Sequence, residues 1–397
     1  MFRLRAYGFP PSCEDWTQRL CFLLVAGGVS LVLVSIAASA ILLAFTILAA
    51  ILQWRKWDKG AALPAAIRWP LLLLFLWTVA ATLLASGSLR DALVVKFWLF
   101  SLLWIVPIYA RGEDRIRWIY HAAFAVAAIS AAAGVAQFLA NPNRGDLNRI
   151  RGFMSIWMTY AGSLMLVLVA LAAYAVIFGW KSHRWVIPLG LVLAAALYLS
   201  RTRSAWLGAA LGIAVIFVLK RPRAILGLAV LLLAIYLISP ASIQRRLQGG
   251  FNPEDINTRN RIELIGTSIR LIRAHPWTGV GQRVSLEAPH YRGTSEFPDW
   301  MYLHMHNNIL QIAAERGIPG LILWLWFMFQ LVWQAFRVFR SSGRAGPAAF
   351  AGVAAIGGWV ALMAAGMFEY NIGDTEPLTL FLFMMSAPFA TRVMSVE

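Results

Sequence analysis

The chain has 397 residues, 60% of them hydrophobic and only 13% charged. Ordinary soluble domains carry about 25% charged residues, so a soluble globular protein is excluded. The formal net charge of +17 does not indicate a nucleic-acid partner, because the basic residues fall in short clusters between apolar runs.

Cys13 and Cys21 straddle the start of the first apolar run, which argues against a structural disulfide. No cleavable signal peptide is evident, and the first span is expected to act as an uncleaved membrane signal. Apolar runs long enough for membrane helices follow at 20–36, 38–54, 69–86, 92–110, 116–140, 154–179, 184–199, 203–219, 223–239, 319–339, 347–368 and 376–394. They predict an all-α polytopic membrane protein with about 12 transmembrane helices. Residues 20–54 read alternatively as one long tilted helix, which would invert the parity of every later span. The expected organisation is 1–239 with the first nine spans, 240–305 as a long outer loop containing an amphipathic helix, and 306–397 with a short interfacial helix and the last three spans.

With the N-terminus inside, inner segments hold basic clusters such as Arg55, Lys56 and Lys59, Arg111, Arg115 and Arg117, and Lys220, Arg221 and Arg223. The last outer loop, 369–375, holds Glu369 and Asp374 and no Lys or Arg. Both features obey the positive-inside rule. The exceptions are Arg144, Arg149, Arg151, Arg201, Arg203, Arg245, Arg246, Arg259 and Arg261, all on the expected outer side and all Arg rather than Lys. Arg suits bidentate phosphate recognition, so an anionic ligand reaching this face from the membrane, such as a lipid pyrophosphate, is one reading. Headgroup contact or loop packing is the other.

Within the long loop, Asn252-Pro253-Glu254-Asp255 signals a turn, and Thr258 is placed to cap a helix from about 259 to Ala274, stopped by His275-Pro276. On a helical wheel, Ile262, Leu264, Ile265, Ile269, Leu271 and Ile272 share one face with Arg261 near its middle. Arg259, Glu263 and Arg270 lie opposite. A guanidinium inside an apolar arc needs an anionic partner, unless it snorkels to water from a frayed first turn. Thr278-Gly279-Val280-Gly281 reads as a tight turn.

His304-Met305-His306-Asn307 then stands at the mouth of an apolar segment, where titratable groups default to function. Gly317 and Pro319 punctuate the next stretch, so 306–316 reads as a short helix with His306 in its first turn. The dipole there disfavours imidazolium, which suits a general base oriented by Asn307 or Gln311. Glu315 or Glu369 are alternative bases. A zinc site on His304 and His306 would need further ligands, with His275 and His290 the available histidines, but no compact ligand spacing exists. The outer side has no Asp-x-Asp pair.

Three pieces stand in order: Ser200-Arg201-Thr202-Arg203-Ser204-Ala205-Trp206-Leu207-Gly208; Arg259-Asn260-Arg261 leading to His275-Pro276-Trp277-Thr278-Gly279-Val280-Gly281; and His306-Asn307, nine residues, then Gly317-Ile318-Pro319-Gly320. They resemble the bacterial O-antigen ligase and polymerase superfamily, and the last spacing resembles the ligase pattern in particular. The resemblance implies a GT-C-like glycosyltransferase of the inner membrane with its active site on the periplasmic face. It implies transfer of O-antigen polysaccharide from undecaprenyl pyrophosphate to a sugar of lipid A–core, by inverting, metal-independent displacement without a cofactor. By position it marks Arg203, Arg261 and His306 as catalytic. Arg201 and Arg259 are close in register and stand as alternatives, with His304 and Asn307 as further substrate contacts. The implied partners are the lipid-linked O-antigen, the lipid A–core oligosaccharide and membrane lipids. An O-antigen polymerase or protein O-oligosaccharyltransferase would share the donor chemistry. A lipid-glycan transporter should instead show repeat symmetry and midplane charges.

Overall fold

The computed structural model describes residues 16–54, 63–88, 91, 96–141, 149–249, 252, 254–294 and 296–391. The readings placed on Cys13, Arg55, Lys56, Lys59, Arg144, Pro253 and residues beyond 391 lie outside that set. Among the described residues every regular element is a helix. In chain order these are α1 (Trp16–Leu31), α2 (Ile36–Leu52), α3 (Ala65–Ser86), a 3-10 turn (Lys96–Ser101) running into α4 (Leu102–Tyr109), α5 (Glu113–Ala140), α6 (Trp157–Phe178), α7 (Val186–Leu199), α8 (Arg203–Lys220), α9 (Ala224–Ile238), α10 (Ala241–Gln248), α11 (Ile256–Ala274), the single turn α12 (Val284–Glu287), α13 (Asn308–Ser341), α14 (Gly346–Ala365) and α15 (Thr375–Ala390).

Each apolar run expected to span the membrane overlaps one of these helices. Among the described residues, six helices (α3, α5, α6, α8, α13 and α14) are long and apolar enough to cross a bilayer, and α9 with α10 adds a seventh if a pair bent by 117° counts as one. The chain is therefore a multi-pass membrane protein on length and composition. The long-helix alternative for 20–54 is corrected. Ser35 breaks the run by capping α2, its hydroxyl accepting from the Ala38 N–H at 3.2 Å. α2 then folds back on α1, where Ser39 Oγ donates to Gly28 O at 2.6 Å.

Small residues set the central packing. α14 lies along α8, where a Cβ at Gly208 would meet Ala361 O at 2.7 Å and one at Gly212 would meet Gly357 O at 2.8 Å. Between membrane helices, where water exclusion no longer drives association, such close backbone approach supplies the contact. This pair brings the start of α8 beside the end of α14. Further in, Tyr120, Tyr174, Phe350 and Phe383 are buried together. α9 buries no side chain at all.

The short helix expected at 306–316 is present but starts later: α13 begins at Asn308, and Gly317, with a non-helical φ of 67° and ψ of −177°, divides it into a short first segment and the longer span that follows. Asn307 is its N-cap, accepting from the Leu310 N–H at 3.0 Å, so His306 precedes the helix rather than occupying its first turn. In the long loop before α13, Asp255 performs the capping expected of Thr258, accepting from the Thr258 N–H at 3.3 Å.

Candidate functional site

Two of the three described non-glycine residues with positive φ are Arg201 (53°) and His306 (45°). Such conformations are costly for side-chain-bearing residues and cluster at functional sites. Arg201 sits in the turn before α8. Its carbonyl accepts from Arg246 Nε at 3.0 Å, while Arg203 Nη1 donates to Arg246 O at 2.6 Å. This reciprocal clip fixes the start of α8 against α10. Arg203 also feels the positive charges of Arg261 and Arg246 and the negative charge of Asp255.

α11 does not bury the whole apolar arc expected of it. Leu264 and Leu271 are buried, whereas Ile262, Ile265 and Ile269 are exposed. Glu263, expected on the outward side, turns in and accepts from the Gly293 N–H at 2.6 Å and Arg270 Nη2 at 3.1 Å. Arg261 finds an anionic partner: its Nη2 lies 3.8 Å from Glu369 Oε1, and its guanidinium sits 5.6 Å from the Phe368 ring centroid. Arg259 points elsewhere and pairs with exposed Glu296 at 2.8 Å.

The other oxygen of Glu369 lies 3.1 Å from His306 Nδ1. One carboxylate thus touches two of the residues singled out in the sequence. The groups expected to orient His306 do other work. Asn307 caps α13 and donates to Met367 O at 2.9 Å. Gln311 accepts from the Met305 N–H at 2.8 Å and donates to Glu315 at 2.8 Å. The His304 ring stands edge-on to that of His306, with centroids 4.1 Å apart. Burial, with a smaller contribution from His306, pushes His304 down to about 4, so it is neutral near pH 7.

The loop carrying Glu369 is tied to the start of α13. The Asn308 N–H donates to Gly366 O and its amide to Asn371 Oδ1, both at 2.7 Å. Tyr370 donates to Glu315 Oε1 at 3.1 Å, and Glu315 lies 2.8 Å from Arg316, itself anchored to Thr78 at 3.0 Å. Burial, then the Glu315 charge, holds the Tyr370 phenol protonated well above its usual range.

The glycines of the second and third sequence motifs form an interlock. Val280 N donates to Ala314 O at 2.9 Å and Ile318 N to Pro276 O at 2.8 Å. Gly279 (φ 63°) and Gly317 face the opposing backbone directly, where a Cβ would lie 2.3 Å from Ala314 O and 2.1 Å from Trp277 O respectively. The interlock holds the far end of the His306 helix segment against the end of α11.

A cavity of about 410 Å³ reaches from this region into the helices. Its polar end includes Thr202, Gln282, His304, Glu315, Arg316 and Glu369, and its deeper wall includes Phe97, Phe100, Trp324, Phe327 and Phe381. Other histidines lie apart: His275 Nε2 contacts Tyr291 Oη at 2.8 Å and His290 lies 3.8 Å from Glu287. Among the described residues, no three His, Cys, Asp or Glu side chains gather as a metal site. The arrangement offers cations for an anion, a base with a carboxylate behind it, and an amphipathic chamber alongside. Sequence reasoning named Glu369 only as an alternative base; its place between His306 and Arg261 had no sequence signal, because 63 residues separate it from His306.

Comparison with known proteins adds an independent line. The O-antigen ligase family matches residues 188–325, a segment that contains Arg203, Arg261 and His306 but not Glu369. The chain is similar to a "Putative polysaccharide ligase" of Rickettsia felis, 26% identical over 252 residues covering 59% of each chain. It is also similar to a "Putative polysaccharide ligase" of Rickettsia conorii, 27% identical over 214 residues covering 50% of this chain and 51% of the relative. The chain thus spans between half and three-fifths of the length of these relatives.

Proposed function

From a chain that belongs to the O-antigen ligase superfamily, its family segment at 188–325, we propose an O-antigen ligase of the bacterial inner membrane. It transfers O-antigen polysaccharide from undecaprenyl pyrophosphate to a sugar of lipid A–core on the periplasmic side. In this reading the chain crosses the membrane about 12 times with both termini cytoplasmic, and 240–305 is periplasmic. The observation that carries the proposal is the bridge of Glu369 between His306 and Arg261, with Arg203 within electrostatic reach.

Arg203 and Arg261 bind the donor diphosphate, whose negative charge grows as the bond to the anomeric carbon breaks. Fixed cations at that point favour the transition state over the ground state. The acceptor hydroxyl oxygen attacks the anomeric carbon from the opposite face and inverts it. Its proton passes to His306 Nε2, the ring nitrogen left free by the contact of Nδ1 with Glu369. Undecaprenyl pyrophosphate leaves with the bonding electrons. The amphipathic cavity lies next to these groups and suits a substrate with an apolar and a polar end.

The test is reconstitution with purified lipid-linked O-antigen and rough lipopolysaccharide. Wild type should form ligated lipopolysaccharide, and His306→Ala should bind donor nearly normally while losing most turnover. Glycan extension on lipid-linked donor alone, with no transfer to lipopolysaccharide, would make the protein a polymerase. Substantial turnover by His306→Ala with an unchanged acid limb would remove His306 as base.

A further inference from the structure

Glu369 lies outside the family-matched segment, yet its carboxylate is the only group seen to touch both His306 and Arg261 among the described residues. The two contacts are unequal. The one to His306 is a 3.1 Å hydrogen-bond distance, whereas the one to Arg261 is 3.8 Å, an ion pair too long for a hydrogen bond. Arg261 is otherwise held by a marginal 3.5 Å contact to Phe368 O and by the Phe368 ring. Its planar fork has donors to spare, and a diphosphate offers the bidentate geometry that this carboxylate does not.

We propose that Glu369 couples donor binding to activation of the base: the lipid diphosphate draws Arg261 away from Glu369, and the released carboxylate charge then acts on His306 alone. The proposal rests on the reading of Arg261 as a diphosphate ligand. Before donor binds, the Glu369 carboxylate is shared between Arg261 and His306. After it binds, an unshared carboxylate behind Nδ1 stabilises the protonated ring, so the ring accepts the acceptor's proton more readily. The remaining neighbours do not substitute for this relay. The His304 ring is neutral, Tyr370 is turned to Glu315, and Asp374 is hydrogen-bonded by Thr159 at 2.7 Å and lies near Lys96. Glu369 is therefore a positioning and coupling residue, acting on the reaction through His306.

The experiment follows the His306 ring by NMR in the full-length protein with ring-labelled histidine, its signal identified by loss in His306→Ala. Inorganic pyrophosphate is the probe, with binding measured calorimetrically. In wild type, saturating pyrophosphate should move the His306 titration to higher pH, and Arg261→Gln should do so without pyrophosphate. In Glu369→Gln each move should shrink to less than about half, since only the direct field of the anion or the missing cation remains. Equal moves with and without Glu369 would overturn the coupling while leaving the diphosphate site standing. No pyrophosphate binding by wild type would overturn both. Should Glu369→Gln fail to fold, Arg261→Gln alone decides. Its shift must exceed that of Arg203→Gln, whose cation does not touch Glu369, and an equal or smaller shift overturns the proposal.

Discussion

Replacing Gly317 by alanine probes the joint on which the site is mounted. With φ at 67° and ψ at −177°, the position is in a region essentially restricted to glycine, which costs another residue about 1–3 kcal/mol. The new Cβ would lie 2.1 Å from Trp277 O, 2.4 Å from Trp277 C and 2.8 Å from Pro276 O. All are backbone atoms, so no rotamer change relieves the overlap and the 276–280 turn must retreat. That retreat breaks the Ile318–Pro276 and Val280–Ala314 hydrogen bonds, each worth about 0.5–1.5 kcal/mol net. The sum is about 2–6 kcal/mol, reaching the upper end for a single substitution. Equilibrium unfolding in mixed micelles, titrated with a denaturing detergent, measures it. Gly279→Ala should cost a similar amount. The double variant should cost less than the sum, because either change already separates the same two segments. If Gly317→Ala unfolds within about 1 kcal/mol of wild type, or if the two changes add fully, the interlock does not carry the stability assigned to it.

Arg203→Lys and Arg261→Lys should each lower turnover by about 10²–10³ at wild-type protein level, because a point charge does not reproduce a planar fork; near-normal rates in reconstituted membranes would rule out the bidentate role. His304, held down to about 4 by burial and by His306, stays neutral in the folded protein while the unfolded chain takes up a proton below its ordinary value of 6.5. Folding stability should therefore fall as pH drops from about 6.5 to about 4, and unfolding midpoints at pH 7.5 and pH 5 should differ less in His304→Gln than in wild type. Activity of the purified enzyme should survive EDTA; loss restored by Mg²⁺ or Mn²⁺ would require a metal in the mechanism. Ser295→Cys should react with an impermeant thiol reagent in intact spheroplasts, and protection until lysis would invert the proposed topology.

The helices were legible because a membrane helix advertises itself by length and uniform apolarity, a signal that needs no knowledge of its neighbours. α11 was harder. Its wheel treated apolar as equivalent to buried, an equation that holds in water. Leu264 and Leu271 obey it, while Ile262, Ile265 and Ile269 stay exposed, as apolar side chains can beside lipid. The start of α13 was misjudged by two residues although the Asn307 capping signal was present, because His306 was read as helical. Its positive φ is imposed by the tie of Asn307 and Asn308 to residues 366–371, and no local sequence rule announces that. Arg261 was picked out by its need for an anion. The identity of that anion, Glu369, depends on the tie of the 366–371 loop to Asn307 and Asn308, which a one-dimensional reading cannot resolve.

The absence of buried side chains on α9 makes the surrounding lipid a working part of the site. Fifteen helical residues rise about 22 Å, short of the ~30 Å hydrocarbon layer. The chain then turns by 117° into α10, which carries Arg246, the residue whose backbone pins Arg203. That turn is anchored by Tyr198 of α7, whose hydroxyl donates to Ser239 Oγ at 2.9 Å, and acyl-chain length works against this anchor in setting its height. A thicker bilayer would pull α10 inward or force local thinning around it, and either strains the clip on the arginine turn. Reconstitution in lipids of graded chain length therefore becomes a dial on the geometry of the cationic cluster, with no residue changed.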